Sequence, residues 1–150
     1  MMDQKLLTSN IFAFYLTTQA AEKQGLKSDL TFGYYDKEKF KGEIQWHDVD
    51  YKYMFGVKLD DIKVAGKSTK PCEGMRDCLV TFDSGTSLMS MPTDAVNSFV
   101  KSGIPTMDHA APCNDQREFG DITYVIGGKD YTISNDEWTL SAEKKIGSLV

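Results

Sequence analysis

The sequence is short of several things, and each shortage removes a class of function. Its longest apolar run is residues 11–16, far below the ~20 residues a membrane-crossing helix needs. Cations are not in excess: 17 Lys and Arg stand against 22 Asp and Glu, for a net charge of −5. Binding nucleic acid by phosphate neutralisation requires clustered positive charge, so that route is excluded. Histidine is scarce. His47 and His109 lie far apart, and neither has a cysteine or second histidine at zinc-ligand spacing. Asp48 and Asp50 lack the glycine and glutamate that complete a calcium loop. The first eight residues have neither the basic start nor the long apolar stretch of a secretory signal. Only three cysteines occur, Cys72 and Cys78 close together and Cys113 apart, so one thiol is left over whichever two pair.

What remains is the material of one ordinary domain, residues 1–150, with 41% apolar and 26% charged residues, enough for a core and unlike a disordered chain. Strand signals dominate. Residues 11–16 are bulky and partly aromatic, and residues 30–34 make a second short run. Ile44-Gln45-Trp46 alternates apolar and polar side chains. Phe55, Val57 and Leu59 fall on one face of an extended segment, and Ile62 and Val64 continue it to the turn Ala65-Gly66-Lys67-Ser68. Further strands are predicted at 79–82 and 122–126, the latter joined to Tyr131-Thr132-Ile133 through the turn Gly127-Gly128-Lys129-Asp130. Helical signals are few. Thr93 after Pro92 can cap a helix that presents Val96, Phe99 and Val100 and stops at Gly103, and Ser134 can start a single turn at 135–138. The pattern predicts an all-β domain with one or two short helices.

Two motifs fail on inspection. Gly66-Lys67-Ser68 ends like a phosphate-binding loop, but Asp61 stands where the first glycine must be, so these residues read as a hairpin turn. Ser84, Ser87 and Ser90 crowd one turn, yet none sits in a glycine-flanked nucleophile elbow. A third segment carries more. The apolar run Leu79-Val80-Thr81-Phe82 delivers Asp83 into a turn made of Ser84, Gly85, Thr86 and Ser87. A carboxylate at a buried strand end needs donors around it, and three hydroxyls and the amides near Gly85 can supply them. Gly85 allows the chain to pass close to the carboxylate. The expectation is an Asp held rigid and partly buried beside a surface cleft. The plainer alternative is an Asp that merely ends a strand and caps a turn.

At Phe82-Asp83-Ser84-Gly85-Thr86-Ser87 the sequence resembles the second active-site motif of the pepsin-like aspartic endopeptidases, hydrophobic-Asp-(Thr/Ser)-Gly-(Thr/Ser)-Ser. The likeness extends over about residues 10 to 140. Residues 11–16 are similar to the strand opening the family's C-terminal lobe, and 30–33 followed by 40–44 resemble its first hairpin. Residues 60–66 and 127–133 are similar to later strands and turns. Cys72 and Cys78 stand where the family closes a small disulfide loop before the catalytic strand.

The resemblance implies a reaction with no metal and no cofactor, in which two Asp residues, one from each lobe, hold a water between them. Like charges so close cannot both ionise; one carboxylate takes a proton from the attacking water while the other donates to the peptide carbonyl. Asp83 is then half of that pair, Ser84 and Thr86 support the loop, Thr86 by bonding the carboxylate, and Gly85 and Ser87 contact the substrate backbone. The implied partners are a polypeptide substrate and the N-terminal lobe of the same protein, with no nucleic acid and no membrane span. The implied setting is the secretory pathway, a lysosome or vacuole, or the extracellular space. One Asp-(Thr/Ser)-Gly motif is present, the bracing strands beyond Trp138 are missing, and Cys113 matches a cysteine whose partner lies in that tail. These features imply an incomplete C-terminal lobe, inactive alone. Two other readings stand beside it: a non-catalytic peptide-binding relative, and a homodimer in which two copies of Asp83 meet across a two-fold axis.

Overall fold

The computed structural model describes residues 3–105 and 118–139; His109 and Cys113 lie outside them. The chain forms two compact units, Met1–Gln45 and Trp46–Val150.

In the first unit, β1 (Phe12–Tyr15) pairs antiparallel with β2 (Asp29–Phe32), setting Phe12 opposite Phe32 and Phe14 opposite Leu30. Gly33 ends β2 with φ 85°, a left-handed conformation that glycine adopts without cost. The connection between the strands contains α1 (Gln19–Lys23), a helix that the polar composition of this stretch conceals. Its signal is a cap: the Thr18 hydroxyl accepts from the Ala21 N–H at 3.2 Å. A single 3-10 turn follows at Lys37–Lys39, started by the Asp36 carboxylate accepting from the Glu38 N–H at 3.0 Å. Residues 44–46 form no strand. Three alternating residues become a strand only where a neighbouring edge accepts their hydrogen bonds, and Gly42 at φ 79° turns the chain just before them.

In the second unit, a four-stranded antiparallel sheet runs in the order β5-β4-β7-β8. Its strands are β4 (Asp61–Val64), β5 (Lys67–Ser68), β7 (Ile122–Ile126) and β8 (Lys129–Ile133). Both of its hairpins turn on two left-handed residues, Ala65-Gly66 and Gly127-Gly128, the geometry whose twist matches the flanking strands. β8 therefore starts at Lys129, two residues earlier than the sequence suggests. A separate pair, β3 (Val57–Lys58) with β6 (Leu79–Val80), is only two residues long on each side. Phe55 does not share the inward face of Val57 and Leu59. Its φ of 51° breaks the extended run, and it is 58% exposed.

One core joins the strands and helices of this second unit. Val57, Leu59, Ile62, Val64, Phe99, Ile104, Ile122 and Ile126 are buried together, with Val80, Met91, Tyr124 and Trp138 packed around them. α2 (Thr93–Lys101) contributes Ala95 and Phe99 and stops at Gly103, φ 83°. Thr93 is its first helical residue and Pro92 the cap position, with the Pro92 carbonyl accepting from the Val96 N–H at 3.0 Å. α3 (Asn135–Trp138) begins where the Ser134 N–H and hydroxyl donate to the Glu137 carboxylate at 3.0 and 2.8 Å and the Glu137 N–H donates to the Ser134 carbonyl at 3.0 Å. The architecture is β-strands with a few short helices. Among the described residues no helix is long and apolar enough to cross a membrane.

Candidate active site

The Asp83 turn hangs from β6, and three features lead the chain into it. The Leu59 N–H donates to the Cys78 carbonyl at 2.9 Å, extending the short β3–β6 ladder by one rung. A disulfide links Cys72 to Cys78 with their Cα atoms 5.4 Å apart, and both cysteines pack against the core. Gly56 lies against Thr81; a Cβ built there meets the Thr81 methyl at 3.6 Å and the Tyr51 Cβ at 3.1 Å.

Within the turn the carboxylate is held from both oxygens. The Gly85 N–H donates to Asp83 Oδ1 at 2.8 Å, and the Thr86 hydroxyl donates to Oδ2 at 2.6 Å. The Thr86 N–H also donates to the Asp83 carbonyl at 3.4 Å. A side chain at position 85 has little room, because its Cβ lies 3.2 Å from Asp83 Oδ1. Both hydrogen bonds stabilise the ionised form. The Thr86 hydroxyl, then the Gly85 amide, hold the Asp83 carboxyl below its ordinary value, against a smaller opposing effect of burial. The chemistry available is that of an oriented, readily ionised carboxylate with open space in front of it.

The expectation of partial burial is corrected here. Asp83 and every residue from 81 to 90 are exposed, and Phe82 is 70% exposed. An apolar approach strand buries its end only when another layer covers it, and β6 has a single two-residue neighbour. Ser84 and Ser87 lie in the same turn, also exposed. Two depressions of the surface lie elsewhere. One, of about 400 Å³, is lined by residues including Asp61, Lys70 and Cys72. The other, of about 250 Å³, is lined by His47, Asp48, Asp50, Lys58, Asp60 and Gly127. Neither includes Asp83. Among the described residues no group of three His, Cys, Asp or Glu side chains is placed to hold a metal ion. His47 has a hydrogen-bond partner, its Nε2 lying 3.0 Å from the Tyr131 hydroxyl.

Sequence reasoning missed Tyr124 on β7. Its hydroxyl donates to the Met89 thioether sulfur at 2.9 Å, reaching the chain as it leaves the Asp83 turn. A tyrosine in a run of Ile, Thr and Val is the signal that could have marked it, since a half-buried phenol needs an acceptor.

An all-β chain with a small disulfide loop leading into a donor-held Asp-Ser-Gly-Thr turn belongs to the class of carboxylate-bearing pepsin-like folds. Comparison with known proteins makes this specific. The sequence matches the family model of eukaryotic aspartyl proteases over residues 1–148. It is 33% identical to human cathepsin D over 148 residues, covering 96% of this chain and 35% of that protein. It is 34% identical to rabbit (Oryctolagus cuniculus) cathepsin E over 143 residues, 93% of this chain and 35% of that protein. The dog (Canis lupus familiaris) cathepsin D is 31% identical over 148 residues, with the same coverage as the human protein. The chain belongs to the eukaryotic aspartyl protease family, whose members are aspartic endopeptidases, and it spans about a third of the length of these relatives.

Proposed function

We propose that this chain is the part of a C-terminal lobe, residues 1–150, that supplies one of the two catalytic carboxylates of an aspartic endopeptidase, and that Asp83 is that carboxylate. The observation that carries this reading is the pair of donors on Asp83. The Gly85 amide and the Thr86 hydroxyl each occupy one oxygen, which fixes the plane of the carboxylate and leaves its outer edge free for a water. In this reading Ser84 bonds across to the other lobe's loop, while Gly85 and Ser87 meet the substrate backbone. The substrate is a polypeptide, and the second carboxylate belongs to an N-terminal lobe. The setting is the secretory pathway, a lysosome or vacuole, or the extracellular space, and the Cys72–Cys78 disulfide supports an oxidising compartment.

One carboxylate cannot be acid and base in the same step, so the chain alone cleaves no peptide. The exposure of Asp83 supports this too, because a carboxylate in bulk water lacks the enclosed, low-dielectric surroundings in which proton sharing between two acids develops. The test has two arms. The 150-residue chain is assayed at acidic pH with and without pepstatin, and no inhibited turnover is expected. The full gene product is assayed with and without Asp83→Asn, which is expected to lower kcat at least ~10³-fold with the fold retained. Inhibitable turnover by the short chain, or an Asp83→Asn enzyme that keeps its rate, overturns the reading. Full-length protein that binds peptides and cleaves none identifies the non-catalytic relative instead.

A further inference from the structure

The segment from Thr81 to Ser90 carries Asp83, contains no regular secondary structure and is exposed throughout. The hydrogen bonds that shape its turn are internal, all made between Asp83, Gly85 and Thr86. They fix how the carboxylate is held, but they do not fix where the turn sits on the molecule. That position depends on the ends. At the entry, β6 is anchored by β3 and the disulfide. At the exit, Met91 packs on the core and Pro92 occupies the cap position of α2. Between the turn and Met91, the described residues contain one side-chain hydrogen bond that ties this segment to the sheet: Tyr124 to Met89.

Tyr124 is well placed to serve as a fixed point. It lies on β7, which is paired on both sides, with Ile62 on β4 and Tyr131 on β8 opposite it. Its neighbours Ile122 and Thr123 are among the most buried residues of the chain. The phenol is partly buried, and burial raises its pKa above the ordinary tyrosine value, so it is a donor at neutral and acidic pH. The hydroxyl end of the ring reaches the surface, where it donates to Met89 at 2.9 Å. The thioether of Met89, itself 46% exposed, is the acceptor it has. A surface methionine is thereby drawn onto the sheet.

We infer that Tyr124 is a positioning residue for the active-site turn: its hydroxyl holds Met89 and so fixes the return path of the segment that carries Asp83. The inference rests on the reading of Asp83 as a catalytic carboxylate, but its structural content stands apart from catalysis and is tested apart from it.

The experiment is NMR on the 150-residue chain, following backbone relaxation of residues 83–89. The variants are Tyr124→Phe, which removes the donor, Met89→Leu, which removes the acceptor at similar volume, and Met89→Gln, which restores an acceptor. Tyr124→Phe and Met89→Leu are each expected to increase motion in residues 83–89, while the donors on Asp83, which lie within the turn, stay in place. The double variant is expected to add nothing further, as two halves of one contact require, and Met89→Gln is expected to resemble the parent. Unchanged relaxation of residues 83–89 in Met89→Leu overturns the inference. Because position 89 lies at the surface, that variant keeps the test decisive even where Tyr124→Phe disturbs folding. Failure of Asp83→Asn to reduce turnover in the full protein would remove the catalytic role while leaving the Tyr124–Met89 tether to stand or fall by these measurements.

Discussion

Breaking the Cys72–Cys78 disulfide tests how the strand that leads to Asp83 is anchored. The bond closes a loop of six residue steps, and closing so short a loop in the unfolded chain contributes about 2 kcal/mol of stability. Little packing is lost when two sulfurs become two hydroxyls, since both cysteines sit at the edge of the core and are not fully buried. The entropic part therefore dominates. The perturbation is Cys72→Ser with Cys78→Ser, made in a Cys113→Ser background so that no thiol remains to exchange. Both tryptophans, Trp46 and Trp138, belong to the second unit, so urea unfolding followed by tryptophan fluorescence reports on the part that contains the disulfide. A loss of about 2 kcal/mol corresponds to a midpoint lowered by about 1 M urea. Amide exchange should locate the effect, with Leu59, whose N–H donates to Cys78, losing protection before Ile122 at the centre of the sheet. A loss under about 0.5 kcal/mol, or equal loss of protection at Leu59 and Ile122, refutes the reasoning.

Two further outcomes follow from the same structure. Thr86→Val removes the larger of the two influences that depress the Asp83 carboxyl, so its pKa rises towards the ordinary value. A depressed folded pKa contributes stability above the unfolded carboxylate value and loses it as pH falls through the folded one. The variant therefore loses less stability than the parent on acidification through that window, a difference that carboxyl titration by NMR and urea midpoints from pH 6 down to pH 2 detect. Gly120→Ala is expected to cost about 1–3 kcal/mol, read as a lower Tm, because its new Cβ falls 2.7 Å from the Ala65 Cβ and 3.0 Å from the Ala65 nitrogen.

Local chemistry was legible in the sequence and enclosure was not. The hairpin turn at Gly127-Gly128, the helix stop at Gly103 and the single turn that Ser134 starts are each written in a few adjacent residues, and each forms, the first with a tighter turn than the sequence suggests. Phe55 and residues 44–46 show the limit of periodicity. Alternation describes a strand only while φ stays extended and an edge is available, and neither condition can be seen in a short window. The helix at Gln19–Lys23 was hidden by a polar composition, although Thr18 marks its start. The candidate site divides along the same line. The residue types around Asp83 announced donors for a carboxylate. Its exposure depends on which layers cover β6, a matter of distant packing that the run Leu79-Val80-Thr81-Phe82 does not encode.

The two donors that grip Asp83 come from the second and third residues after it. An acid held this way travels with its own fittings: a shift of the strand, a change of neighbour or a different covering layer moves the whole assembly as one piece. Diversity in such a protein can therefore accumulate around the turn, changing what surrounds the carboxylate, while the way the carboxylate is held stays the same.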